Sequence, residues 1–210
     1  MLHRLAAGFS ALLLGACSVV GVRSGTEEPP FERLALQGEV EIRRYAPRLA
    51  AETTVDADET ASRSEGFSRL AGYIFGGNEG ASRIAMTAPV AQGSASTPMR
   101  IAMTAPVAQA ASGQGYAIRF FLPAALREPP VPRDSRVRIV EVPAETLAVL
   151  RFSGSTGPDA VAAARARLLG ALAQGPWQPA GEPVAWFYDP PWTIPALRRN
   201  EVAVPVIARD

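Results

Sequence analysis

A chain of 210 residues that is 48% apolar and 20% charged can build a globular core, and its net charge of +1 gives no field that would mark a nucleic-acid binder. All 21 basic residues are Arg, which excludes a Schiff-base lysine and a Walker-type phosphate loop. The only His is His3 and the only Cys is Cys17, so a disulfide within the chain is excluded, and a chain without its first residues has no Ser-His-Asp triad, Cys-His pair or usual zinc sphere.

The chain opens MLHRLAAGFSALLLGAC, with one Arg, an apolar stretch of about a dozen residues and then small residues, the pattern of a signal peptide and too short for a confident membrane span. Leu14-Gly15-Ala16-Cys17 resembles the bacterial lipobox. That resemblance implies removal of residues 1–16 and acylation of Cys17, which would anchor the protein to a membrane without a spanning helix. Ser18 after the Cys implies outer-membrane sorting, so the expected place is the cell envelope, facing the periplasm. Residues 17–34, containing SVVGVRSGTEEPP, are small, polar and Pro-bearing without a sustained period, and read as the lipidated N-terminus and a linker to one domain over 35–208.

Gly38 to Tyr45 alternates polar with apolar and predicts a strand, and after Pro47 the run Leu49–Val55 predicts its hairpin partner. The following DADETASRSEGFSRLAGYIFGGN begins acidic and ends Gly76-Gly77-Asn78, which predicts a helix with Phe67, Leu70, Ala71 and Ile74 on one apolar stripe. The decapeptide RIAMTAPVAQ then occurs twice, at 83–92 and 100–109, joined by the turn formers GSASTP. The two copies read as arms of one rim hairpin, with Thr87 and Thr104 bonded to backbone and Pro89 and Pro106 at a sheet edge. Tyr116–Pro123 is a further strand.

After the loop REPPVPRDS the order of elements restarts, with strands at Arg136–Val142 and Leu147–Phe152, a helix over Asp159–Ala173, and strands at Val184–Tyr188 and Glu201–Ile207. Val161, Ala164, Leu168 and Leu172 make that second helix's apolar side. The expected fold class is therefore α+β, two similar ββαβ halves with two helices laid against a curved sheet.

Several phrases, in order, resemble the SOUL haem-binding protein family: YIFGGN (73–78), IAMTAPV (84–90 and 101–107), FFLP (120–123), PPVPRDSRV (129–137), VLRFSG (149–154), GEPV (181–184) and YDPPWTIPALRRNEV (188–202). The resemblance implies a distorted antiparallel β-barrel flanked by two helices, an architecture similar to that of gyrase-inhibitor-like effector domains. It also implies haem or another tetrapyrrole bound beside the first helix, without catalysis. The implied cofactor-binding residues are Phe67, Leu70, Ala71 and Ile74 as a floor and Tyr188 and Trp192 as a wall. Arg63 or Arg69, or Arg198 and Arg199, would pair with the propionates. The same apolar stripe equally suits a helix that buries it against a sheet. No metal ligand is expected: without His, only Met86, Met99, Met103 and the Tyr side chains remain as axial donors. The alternatives are a hydrolase-like enzyme using Glu141, Glu182, Tyr188 or Glu201, and a structural envelope lipoprotein.

Overall fold

The computed structural model describes residues 25–95 and 115–209. The first half of the chain supplies β1 (Phe31–Gln37), β2 (Val40–Tyr45), β3 (Arg48–Val55), helix α1 (Glu59–Ile74), β4 (Val90–Ser94) and β5 (Tyr116–Phe121). The second supplies β6 (Val137–Val142), β7 (Glu145–Phe152), helix α2 (Pro158–Ala173), β8 (Trp177–Pro179), β9 (Val184–Phe187) and β10 (Asn200–Ala208). The class is α+β, with two helices on a mostly antiparallel sheet. Cys17, His3 and the whole second decapeptide lie outside the described residues.

The strands run in the order β1-β2-β7-β10-β9-β4-β5-β3-β6, with β8 against β10. Exchanging β2 with β6, β3 with β7, β4 with β9 and β5 with β10 reads the path from β2 to β6 backwards, so the strand order carries a two-fold symmetry centred between β4 and β9. The symmetric part of each half is thus ββαββ, the expected ββαβ unit with its further strand, and β1 and β8 lie outside it. The expected barrel does not close: β1 pairs along the outer edge of β2, leaving β2 no edge to offer β6. The expected hairpin of β2 with β3 is also absent. Each half's first strand pairs instead with the other half's second, β2 with β7 and β3 with β6. Ala46 and Pro47 separate β2 from β3, and Pro47 has no donor with which to continue a ladder.

Period-2 alternation sorts the side chains to two faces. Val40, Ile42, Ala148, Leu150, Val202 and Val204 pack under α2, and Ala51, Ile118, Phe120 and Val137 pack under α1. The other phase, with Ala50, Phe121, Val149, Trp186 and Ala203, makes a core on the helix-free face. The first decapeptide crosses into this frame. Thr87 Oγ1 donates to the Phe121 carbonyl oxygen, close to the backbone role expected of it. Pro89 does not cap an edge, because β4 begins directly after it and lies between β9 and β5. A residue that starts a strand needs no ladder donor, so a Pro is tolerated there even in mid-sheet. The segment read as linker is partly structured as well: β1 begins at Phe31, and Glu27 bridges Thr87.

Gly66 sets how closely α1 approaches β5. A Cβ there would lie 2.4 Å from Cγ1 of Ile118, a fully buried side chain, whereas one at Gly72 would meet nothing within 4 Å. Gly66→Ala is therefore expected to lose about 1–3 kcal/mol to overpacking. Gly72→Ala is expected to gain about 0.5–1 kcal/mol from helix propensity. Thermal melts of the pair should move in opposite directions, and a Gly66→Ala protein more stable than wild type would refute the close approach.

Candidate functional site

Helix α1 starts where Asp58 Oδ1 accepts from the backbone N–H groups of Thr60 and Ala61, both at 2.9 Å. From that cap, Ser62, Gly66, Leu70, Tyr73 and Ile74 turn to the sheet and are buried. Phe67, Ala71 and Phe75 follow at i, i+4 and i+8 along one flank and form an apolar ridge. Phe67 is 40% exposed and Phe75 62%, while the base of the ridge rests on Phe120, whose ring centre is 5.3 Å from that of Phe67. The first decapeptide is tied to this end of the helix, since the Ile84 N–H donates to the Ile74 carbonyl oxygen at 2.8 Å. Met86, two residues on, is also exposed.

The floor expected from the sequence is therefore split. Phe67 and half-buried Ala71 belong to the flank, but Leu70 and Ile74 lie in the core beneath the helix and cannot meet a ligand. The stripe recurs at helical period because the helix packs on a sheet, and the exposed ridge is its margin.

The expected propionate partners also change. Arg69, about 200° round the helix from Phe67, donates to Thr53 Oγ1 at 2.8 Å and pairs with Glu65. Arg198 donates to the carbonyl oxygens of Thr193 and Pro191, at 2.8 and 2.5 Å, inside its own loop. Arg63 is placed differently. It sits one turn before Phe67, covers the Phe187 ring at 4.1 Å, and donates through Nε to Gln92 Oε1 and through Nη1 to the Thr156 carbonyl oxygen, both at 2.8 Å. Its Nη2 is buried without a hydrogen-bond partner, as are Arg165 Nε and Glu59 Oε1, the latter 4.0 Å from Arg165 Nη2 across the two helices. Burial lowers the Arg63 pKa, an effect that the charge of Glu59 offsets in part.

The wall expected from Tyr188 and Trp192 is not one surface either. Trp192 is 62% exposed on the loop before β10, whereas Tyr188 belongs to the helix-free core. There the Arg48 guanidinium lies between the Tyr45 and Phe121 rings, 4.5 and 4.7 Å from their centres. The space left beside them, about 10 Å³, is near the size of one water.

The helix-free face holds a denser feature that no sequence pattern announced. Glu201, with no exposed surface, accepts from Arg43 Nη1 at 2.8 Å, Arg43 Nη2 at 3.2 Å, Arg199 Nη2 at 3.0 Å and the Tyr188 hydroxyl at 2.7 Å. Burial pushes the Glu201 pKa up, but the hydrogen bond and charge of Arg43 and the charge of Arg199 outweigh it, leaving it below the ordinary value of 4.5. Burial, then the charge of Glu201, pushes the Tyr188 phenol well above its ordinary range, so it remains a protonated donor. A cavity of about 410 Å³ opens above this cluster, lined by Arg33, Arg43, Arg151, Arg199, Glu41 and Glu201 among others. A general acid needs a carboxyl whose pKa is raised. Glu201 is held the other way with both oxygens occupied, and Glu141 and Glu182 are exposed. The described residues contain no cluster of three or more His, Cys, Asp or Glu side chains able to hold a metal ion.

A family model described as SOUL heme-binding protein matches residues 26–205. "Heme-binding protein 2" of Mus musculus is 29% identical over 148 residues, covering 64% of this chain and 66% of that protein, so the match spans just under two thirds of the relative. Among solved structures, the EcmrR C-terminal domain superposes with a TM-score of 0.57 at 11% identity, covering 81% of this chain and 98% of that one. A hydrolase from Listeria innocua gives a TM-score of 0.50 at 11% identity, covering 83% and 94%. At such identities the two structures share a fold with this chain, and the likeness carries no chemistry.

Removing Glu201 strands the buried Arg43 cation. Glu201→Ala is expected to cost about 3–5 kcal/mol, measured by chemical denaturation. Because the folded pKa of Glu201 lies below its unfolded value, its contribution is complete above the ordinary carboxylate range and is lost as pH falls through the folded value. Stability should therefore fall on the acid side of about pH 4–5, and Glu201→Gln should flatten that limb. An unchanged acid limb in Glu201→Gln would show that the network does not govern it.

Proposed function

Because the chain belongs to the SOUL haem-binding protein family, whose model matches residues 26–205, we propose that it binds haem or a similar tetrapyrrole, reversibly and without catalysis, on the outer flank of α1. The observation that carries this reading is the uncovered ridge of Phe67, Ala71 and Phe75, with exposed Met86 near its end and a buried Arg63 donor without a partner at its start. A porphyrin is a flat apolar plate with two carboxylates on one edge. The ridge supplies aromatic and thioether contacts for the plate, and Arg63, once its covered Nη2 turns outward, supplies a charge-assisted hydrogen bond to one carboxylate. The residues present thus fit the group as a plate held by its face.

They do not fit an iron held by imidazole, since no His is among the described residues. Tyr188 is buried and donates to Glu201, so Met86 is the exposed thioether nearest the ridge in sequence. Plate contacts must then carry most of the affinity. Removing on the order of 300 Å² of apolar surface from water is worth about 7 kcal/mol before association costs. The reading includes a lipid anchor on Cys17 and a place at the outer membrane facing the periplasm, on the strength of the lipobox-like Leu14–Cys17.

The test is a titration of the chain from Cys17 onward, carrying Cys17→Ser, with hemin and with metal-free protoporphyrin IX. Both should saturate at low-micromolar concentration, within about threefold of each other, because no axial bond separates them. Phe67→Arg should weaken both at least about tenfold, and Arg63→Ala by about 10-fold or more through the lost charge-assisted bond. Leu36→Arg, at an exposed position of β1, should change neither. Hemin favoured a hundredfold over protoporphyrin, or binding indifferent to Phe67→Arg, would overturn the reading.

A further inference from the structure

We propose that the loop from Asp189 to Arg199 is a membrane-contact device, which seats its apolar side chains in the interface of a phospholipid bilayer; the inference rests on the lipid-anchor reading above. A surface loop in water ordinarily turns polar groups outward and leaves backbone groups to the solvent. This loop does the reverse. Trp192, Ile194 and Leu197 are 62%, 45% and 46% exposed. Its polar groups meanwhile serve one another. Arg198 donates to the Thr193 and Pro191 carbonyl oxygens, the Thr193 N–H to Pro190, the Leu197 N–H to Ile194, and the Arg199 N–H to Asp189 Oδ2 at 2.6 Å. Pro190, Pro191 and Pro195 have no donor to satisfy. A segment that satisfies several of its backbone groups from within and whose outer side chains are Trp, Ile and Leu is suited to a lipid interface, where water still reaches the remaining polar groups.

The position of the chain's start selects lipid as the occupant. Glu28 accepts from Arg199 Nη1 at 2.9 Å, at the base of the loop, and the Glu27 carbonyl oxygen accepts from the Ala88 N–H at 2.9 Å. From Cys17 to Glu27 is ten residues, which span at most about 36 Å however they are arranged. Acyl chains on Cys17 therefore keep the base of this loop close to the bilayer that holds them. The loop is also joined to the tetrapyrrole flank: the Gly154 N–H donates to the Pro195 carbonyl oxygen at 2.9 Å, and Arg63 reaches Thr156 of the same turn. Seating the loop would bring the α1 ridge toward the lipid, so an apolar pigment could pass between bilayer and protein with a short aqueous path.

The experiment uses the full acylated chain in phosphatidylcholine–phosphatidylglycerol vesicles whose acyl chains carry bromine, a short-range quencher of indole fluorescence. Of the three tryptophans Trp186 is buried in the core and Trp177 on β8 is half-buried, so the test is run in a Trp177→Phe background, where the quenched emission should belong to Trp192 and be lost in Trp192→Phe. Leu197→Glu, which keeps all indoles, should also lose the quenching, with an unchanged melting temperature showing that the domain remains folded. The failures are separable. Wild type that does not float with the vesicles overturns the anchor reading and this inference with it. Wild type that floats while its bromine quenching is absent, or is retained in Trp192→Phe, overturns the loop contact alone. A Trp192 shielded from both bromine and aqueous iodide would mean that a second copy covers the loop, and would also overturn the inference.

Discussion

The arrangement of the molecule depends on one buried carboxylate. Glu201 of β10 takes a two-pronged hydrogen bond from Arg43 of β2, across the intervening β7, and further bonds from Arg199 and Tyr188. Arg199 also holds Glu28, so the same cluster ties the entering chain to the last strand. Desolvating two guanidinium groups and a carboxylate is costly, and such a cluster is weak evidence of net stability. Its effect is on what the face can accept. A wall of matched charges is poor ground for an apolar plate, and a saturated carboxylate below its ordinary pKa cannot relay protons. An apolar plate would find its contacts on the other face, where the proposed site runs along the margin of α1.

Much of this was legible in the sequence because alternation and helical period record which side chains are buried. The strands near 40–45, 49–55, 116–121, 137–142, 147–152, 184–187 and 201–207 and both helices followed from period, β-propensity and the stop and capping residues between them. Period says nothing about partners. Val40–Tyr45 and Arg48–Val55 look like a hairpin because they are adjacent in the chain, yet their apolar phases are satisfied equally well by strands a hundred residues away. The repeated restart of strand, strand, helix was a better guide to topology than adjacency. β1 was hidden because it lies at a sheet edge and half its residues face solvent, leaving little apolar pattern.

The candidate site was legible to the level of the helix and no further. Phe67, Leu70, Ala71 and Ile74 form one stripe in projection, but a helix buries an arc, and Leu70 and Ile74 fall in its middle while Phe67 falls at its edge. Gly66 was the informative residue, since a helix that needs a missing Cβ is one pressed onto its sheet. Arg63 and Arg69 were indistinguishable by type. What separates them is a difference of about 120° round the helix relative to the ridge and the partners waiting there. Three members of the Glu201 cluster, Tyr188, Arg199 and Glu201, lie together in YDPPWTIPALRRNEV, but their distant partner Arg43 left no sign that they meet in one buried network.

The exchange of strands between halves bears on how the protein is made. β10, the last strand, lies in mid-sheet between β7 and β9, and β3 in the first half waits for β6. Neither half can finish its sheet alone, because each supplies strands that the other must pair with. Pairing strands about a hundred residues apart closes long loops before any contact rewards it, so this sheet is of the slow, non-local kind.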